Sequence, residues 1–360
     1  MFLPLTTDAL RESLAGALAH RNDATASLSQ GDFSGAYSEN PDWAVGPFVA
    51  DDSLAFRPTG QWADPTGIGW TSASIYNPSV IEHEGVLHLF YRASPSKESL
   101  SSRIGHAALA PGAAWADSPS NPVVYPTQPL ELLGCEDPKI YRAEGRWYLF
   151  YNGIYPLTRE AREAFTPDPQ AEVGCEILLA VSDDLENWTK LGSVVDPAVS
   201  HLWAKGAVVP RNGAGEAVRI GGEYLMFLSE GCGGALHVGR STDFENWTFA
   251  PEPYLDLGPL DGHLHEVACA LVDDDAPDRL VLDFFYGEPD GSFAAGQALY
   301  DTAAPFTQRA LHRGGALSWG GMIRSSGGDD SGARLFAQGW DAAPGERRID
   351  FYTDRSLITQ

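Results

Sequence analysis

The sequence predicts an all-β chain, a five-bladed β-propeller preceded by a short N-terminal helix. Three observations predict it. The segment 182-SDDLENWT-189 returns as 241-STDFENWT-248, 59 residues later. The stretches 79–94, 139–153 and 217–231 share one pattern: a strand, a glycine-bearing turn, then an aromatic-rich strand. The chain also carries 38 glycines and 25 prolines, enough for many turns, and helical periodicity is weak after residue 25. Four-stranded units repeating every 40 to 60 residues or so are the signature of propeller blades.

The elements follow in order. Residues 1–35 read as a helical extension and 36–360 as the propeller domain. In 1-MFLPLTTDALRESLAGALAH-20, Leu10, Leu14 and Leu18 fall on one helical stripe. Residues 40–60 are expected to supply a strand that closes the ring. The blades are expected at 70–115, 130–190, 200–250, 260–312 and 315–355. Glu84-Gly85, Glu144-Gly145 and Gly221-Gly222 carry the chemistry of tight hairpin turns. Asn187-Trp-Thr and Asn246-Trp-Thr fit the N-glycosylation acceptor pattern. Their place in the repeat reads instead as a recurring turn, with each Trp packed between blades.

Composition narrows the function. The 360 residues are 43% hydrophobic, which is ordinary for a globular protein. A net charge of −25 repels nucleic acid and anionic membranes, so neither is expected as a partner. Cys135, Cys175, Cys232 and Cys269 form no Cys-x-x-Cys pair, so free thiols in a reducing compartment are expected. The first 20 residues lack a basic start, and Asp8 breaks their apolar run. A cytoplasmic protein is expected. No run of about 18 apolar residues occurs, so no membrane span is expected.

In a propeller with few blades the innermost strands converge on a channel, so polar residues far apart in sequence meet at one mouth. The acids therefore have to be collected blade by blade. The first blade offers 76-YNPS-79 and 91-YRA-93, and the second offers Glu136-Asp137 in 134-GCEDPKIYRAEGRWYLFYNG-153. The third offers 204-AKGAVVP-210 and Glu230, the fourth 263-HLHEVA-268, and the last 339-GWD-341.

The run 77-NPSVIEHEGVLHLFYRAS-94, then 103-RIGHAAL-109 and 135-CEDPKIYRAEGRWYLFYNG-153, resembles glycoside hydrolase family 130. That family comprises five-bladed propellers that act as β-mannoside phosphorylases and β-mannosidases. Its Glu-Asp-Pro-Arg signature reads Glu136-Asp137-Pro138-Lys139 here. The similarity extends through 178–192, 205–210 and 223–231, and 339-GWDAA-343 matches a family Gly-Ala-Asp stretch more loosely. The resemblance implies that Asp137 is the general acid at the channel mouth. Pro138 would bias the residues before it toward extended geometry, and Glu136 would raise the Asp137 pKa. It also implies sugar binding by Asn77, Arg92, Glu136, Lys205, His265 and Asp341.

Departures from the family separate its two activities. Phosphorylases bind phosphate with an arginine where this chain reads Glu176, and with a His-Arg pair where it reads Glu230. Acids there would repel a phosphate dianion. A water nucleophile needs a base, for which Glu230 is preferred and Glu266 is second. Lys205, Arg240, His237 and His265 remain as anion ligands. His263 and His265 alternate on a strand, but no third ligand at suitable spacing is evident, so no metal and no cofactor are expected. Trp203, Trp319 and Trp340 are candidate sugar platforms. The expected activity is inverting hydrolysis of a β-mannoside or similar small glycoside. The alternatives are phosphorolysis, a furanosidase- or arabinosidase-like activity, and a non-catalytic carbohydrate-binding propeller.

Overall fold

The computed structural model describes residues 2–19, 40–62, 64–96, 99–315, 321–324, 333–338 and 347–354. Its described strands form five four-stranded antiparallel sheets and one two-stranded ladder. The first blade comprises Ser74–His83, Val86–Ser94, Arg103–Leu109 and Ala116–Asp117. The second comprises Gly134–Ala143, Arg146–Pro156, Val173–Ser182 and Thr189–Ser193. In the third, Glu223–Leu228 pairs with Arg219–Ile220 on one side and with His237–Ser241, then Thr248–Pro251, on the other. Its inner edge is the short ladder of Ala204–Lys205 with Glu230–Gly231. His263–Val272, Arg279–Gly287, Phe293–Asp301 and Ala310–Arg313 form the fourth. The fifth is Ile323–Arg324, Arg334–Gln338 and Asp350–Thr353, and Val49–Ala50 pairs with its last strand. A strand from before the first blade thus closes the ring, as expected.

The turns behave as their residues require. Both residues of Glu84-Gly85, Glu144-Gly145 and Gly221-Gly222 have positive φ, the backbone that matches strand twist in a two-residue hairpin. The repeated octapeptides are one turn built twice. Ser182 Oγ accepts from the backbone N–H groups of Asp184 and Leu185, and Asp184 Oδ1 accepts from those of Glu186 and Asn187. Ser241 and Asp243 repeat every one of these bonds. The Trp188 ring meets Phe90 of the first blade edge-on at 5.6 Å, and Trp247 meets Phe150 of the second at 5.9 Å. The tryptophans do pack between blades.

The N-terminal helix spans Thr7–Ala19. Its buried residues are Ser13 and Ala17, and Leu18 is exposed, so the expected leucine stripe is turned by about one residue. Ala17 packs with Leu133, Ile154 and Cys175. All four cysteines are buried. Among the described residues no helix is long and apolar enough to cross a membrane.

Deeper between the blades, the buried Arg211 guanidinium acts as a pin. It donates to the Val80 carbonyl of the first blade (3.0 Å) and to the Ile140 carbonyl of the second, and lies 4.8 Å from the Tyr141 ring centre.

Candidate active site

The inner strands of the first four blades are irregular near the site. The ladder skips residues 77 and 78 in the first blade and 137 and 138 in the second. In the third it is interrupted between the Lys205–Glu230 pair and the Val208–Phe227 bridge without a change of register. In the fourth it shifts between Leu264 and Glu266. The shifts in the first, second and fourth blades are β-bulges, which re-aim the side chains next to them. Asn77 and Asp137 sit in bulges with φ of +45° and +50°, and Gly206 sits in the third-blade interruption with φ of +74°. The left-handed backbone of Asp137 corrects the expectation that Pro138 extends it. The bulge outweighs the preference of a pre-proline residue for extended geometry, a strain of the kind that collects at functional sites.

The bulges bring Asp137 and its neighbours together. Asp137 Oδ1 accepts from Asn77 Nδ2 and from Arg92 Nη1 at 3.0 Å, and Oδ2 accepts from Lys205 Nζ at 3.1 Å. Glu136 takes the other arms of both cations, Arg92 Nη2 at 2.5 Å and Lys205 Nζ at 3.2 Å. Arg92 lies over the Tyr76 ring at 4.6 Å and donates from Nε to Ser102 Oγ at 2.8 Å. Across the mouth, Lys139 Nζ stands 3.4 Å from Glu266 Oε1. Glu230 lies opposite Lys205 in the ladder, and Trp203 Nε1 donates to its Oε1 at 3.4 Å. Trp203 is 37% exposed, an aromatic face open beside the acids. His265 stacks on Phe285 at 4.4 Å.

Electrostatics reverse one expectation. Burial pushes the Asp137 carboxyl up, but Lys205, Arg92 and the hydrogen bonds from Asn77 and Lys205 outweigh it and hold the group far below the usual carboxylate range. The rise expected from Glu136 does not prevail, because Lys205 and Arg92, which Glu136 shares, hold the charged form. Glu266 goes the other way. Burial raises it, Lys139 lowers it, and the negative Glu230 and Asp137 add to the rise, leaving it at about 7. The mouth therefore holds an ionised acid on one side and, at neutral pH, a partly protonated one on the other.

Two more placements depart from the sequence reading. Glu176 alternates with Cys175 on its strand, and its Oε1 accepts from Ser200 Oγ at 2.8 Å. It is buried there, and burial lifts its pKa to about 8. It therefore packs away from Asp137 and cannot repel an anion in the channel, as the sequence reading supposed. Arg240 pairs with Glu223 at 3.5 Å and covers Phe306, and His237 binds the Ala235 carbonyl at 2.9 Å, so neither gathers with the acids. Among the described residues no group of three His, Cys, Asp or Glu side chains is placed to hold a metal ion. Asp341, Trp319 and Trp340 lie outside the described residues. Sequence reasoning missed Lys139 as the partner of Glu266, although Lys139 stands inside the quoted signature. It missed Ser102 entirely, since a lone serine between blades carries no signal.

A model of the family described as β-1,4-mannooligosaccharide phosphorylase matches residues 62–166. A 1,2-β-oligomannan phosphorylase from Thermoanaerobacter sp. (strain X514) is 30% identical over 49% of this chain and 53% of its own length. A β-1,2-mannobiose phosphorylase from the same organism is 26% identical over 44% and 48%. The chain thus spans about half the length of the curated relatives it matches. Among solved structures, a glycosyl hydrolase from Bacteroides ovatus superposes with TM-score 0.66 at 20% identity, covering 89% of this chain and 97% of that one. A structure reported with glycoside hydrolases of family 130 that target β-1,2 mannosidic linkages in Candida mannan gives 0.63 at 21% identity, covering 89% and 97%. The β-1,2-mannobiose phosphorylase of Listeria innocua gives 0.57 at 13%, covering 86% and 97%. Both kinds of protein share the propeller architecture.

Proposed function

Taking the resemblance to glycoside hydrolase family 130 as premise, we propose that this chain hydrolyses a β-mannoside with inversion, water replacing phosphate as the acceptor. One observation carries the choice. Each described cation at the mouth is committed to a carboxylate: Arg92 to Glu136 and Asp137, Lys205 to the same pair, and Lys139 to Glu266. A phosphate dianion entering beside Glu230 and Glu266 would meet net repulsion, whereas water would meet two bases.

In this reading the sugar lies between Asp137 and Glu230. Asn77, Arg92, Glu136, Lys205 and His265 hold its hydroxyls, and Trp203 stacks on an apolar sugar face. Asp137 is ionised in the free site, so it first takes a proton from solvent as bound sugar hydroxyls replace its donors and shield it from Lys205. It then passes that proton to the glycosidic oxygen as the bond to the anomeric carbon breaks. Glu230 takes the proton from the attacking water on the opposite face. Inversion calls for about 6.5–9.5 Å between the two carboxyls, room for one water.

A second assignment rests on Glu266. It is the channel carboxyl poised near 7, so it can bring its own proton at neutral pH. Asp137 would then stabilise positive charge at the anomeric carbon. Comparing Asp137→Asn with Glu266→Gln on glycosides with good and poor leaving groups separates the two. The variant that loses rate only on the poor leaving group marks the acid.

A further inference from the structure

Arg92 is the hinge of the site, because among the described residues it alone touches Tyr76, Glu136 and Asp137. Its planar fork meets both carboxylates in one orientation, set by the torsion about the Cδ–Nε bond. That orientation is set from behind. Ser102 Oγ accepts the Arg92 Nε–H at 2.8 Å and donates its own proton to the Ser99 carbonyl at 2.8 Å. The Tyr76 hydroxyl lies 3.3 Å away. Ser102 is fully buried.

The loop that holds Ser102 is itself fixed on two sides. Ser99 Oγ donates to the Ala17 carbonyl near the end of the N-terminal helix at 2.8 Å. Cys135 N–H donates to the Ser102 carbonyl at 2.9 Å, one residue before Glu136. Gly134 is required at this crossing, since a Cβ there would lie 1.9 Å from the Leu100 carbonyl oxygen. The Ser99 hydroxyl and the Ser102 carbonyl thus tie this loop to the N-terminal helix and to the strand bearing Glu136 and Asp137, and the Ser102 hydroxyl links it to the Arg92 guanidinium.

We propose that Ser102 is a positioning residue for the reaction: its hydroxyl fixes the rotation of Arg92 that delivers one Nη to Glu136 and the other to Asp137. The proposal rests on the glycosidase reading for its consequence in rate, but not for its geometry. Without the hydroxyl, Nε–H loses its acceptor in a buried site, and the guanidinium turns to find another. The carboxylates then lose their alignment, although the fold keeps its blades. A hydrogen bond to a charged group of this kind is expected to be worth about ten- to a hundredfold in rate.

The test uses the full chain and two readouts. The first is the Arg92 Nε–H resonance in a proton–nitrogen correlation spectrum, assigned by its loss in Arg92→Lys. A bonded, buried Nε–H exchanges slowly with water. The expected result is a slowly exchanging signal in the wild type, absent or fast in Ser102→Ala and retained in Ser102→Thr. The second is turnover of a β-mannoside. Ser102→Ala should lower kcat about ten- to a hundredfold with little change in KM, and Ser102→Thr should restore most of it. A fast-exchanging Arg92 Nε–H in the wild type overturns the proposal, whether or not any variant folds. So does Ser102→Ala with wild-type kcat. A wild type inactive on every mannoside, with the resonance behaving as expected, overturns the glycosidase reading and leaves the positioning geometry standing.

Discussion

Replacing Glu176 with Gln separates a stability role from a site role. Glu176 is buried, and Ser200 Oγ donates a hydrogen bond to its Oε1. Burial lifts its folded pKa from 4.5 to about 8. A raised carboxyl contributes stability that is fully present below its unfolded pKa and is lost as pH rises toward the folded value. The native state binds a proton that the unfolded chain has released, so the slope of unfolding free energy with pH is negative across that window. At about 1.4 kcal/mol per pH unit, the span from 4.5 to about 8 amounts to at most about 4 to 5 kcal/mol. Glutamine keeps the shape of the protonated acid and does not titrate. Urea denaturation of both proteins from pH 4.5 to 9 is the assay, and the difference between them cancels the other titrating groups. The two should be of similar stability near pH 5, and the variant should exceed the wild type by several kcal/mol near pH 8.5. Turnover per folded molecule should be unchanged, because Glu176 faces Ser200 and not the channel. Parallel stability curves, or a large loss of kcat with the fold intact, would refute the placement.

Other outcomes follow from the site. Asp137→Asn should cut turnover at least about a hundredfold on a poor leaving group and far less on an activated aryl mannoside, read from initial rates on the two substrates. Glu230→Gln should slow both alike, and azide should restore rate with an inverted glycosyl azide as product if Glu230 is the base. The pH profile of kcat/KM should show a titration near 7 that disappears in Glu266→Gln, since burial and the neighbouring acids hold that group at about 7. Gly134→Ala should destabilise the chain by about 1–3 kcal/mol in urea, because its methyl would meet the Leu100 carbonyl at 1.9 Å and the strand must shift.

Much of the architecture was legible because propeller repeats write themselves locally. The octapeptides at 182 and 241 fix their turns through Ser and Asp side chains two and three residues away, so no distant contact is needed to read them. The ring-closing strand at Val49–Ala50 was legible from position and blade count. The candidate site was legible as a set of residues: Asn77, Arg92, Glu136, Asp137 and Lys205 do meet. Its electrostatics were not. Glu136 beside Asp137 in sequence suggests mutual repulsion, yet two cations from the first and third blades sit between them and reverse the sign. That reversal is set by long-range packing, as is the partnering of Lys139 with Glu266 across the mouth. Glu176 misled for a simpler reason. Strand alternation sends every second residue to the other face, and a one-residue error in register moves a supposed channel residue into the packing behind it.

The central claim is that water, not phosphate, accepts the mannosyl group. The direct measurement is incubation with β-1,2- and β-1,4-mannobiose in oxygen-18 water, with and without inorganic phosphate, followed by mass spectrometry and proton NMR of the first product. The account predicts free α-mannose carrying one heavy oxygen, at a rate indifferent to phosphate. Mannose 1-phosphate as the product, formed only when phosphate is added, would contradict it.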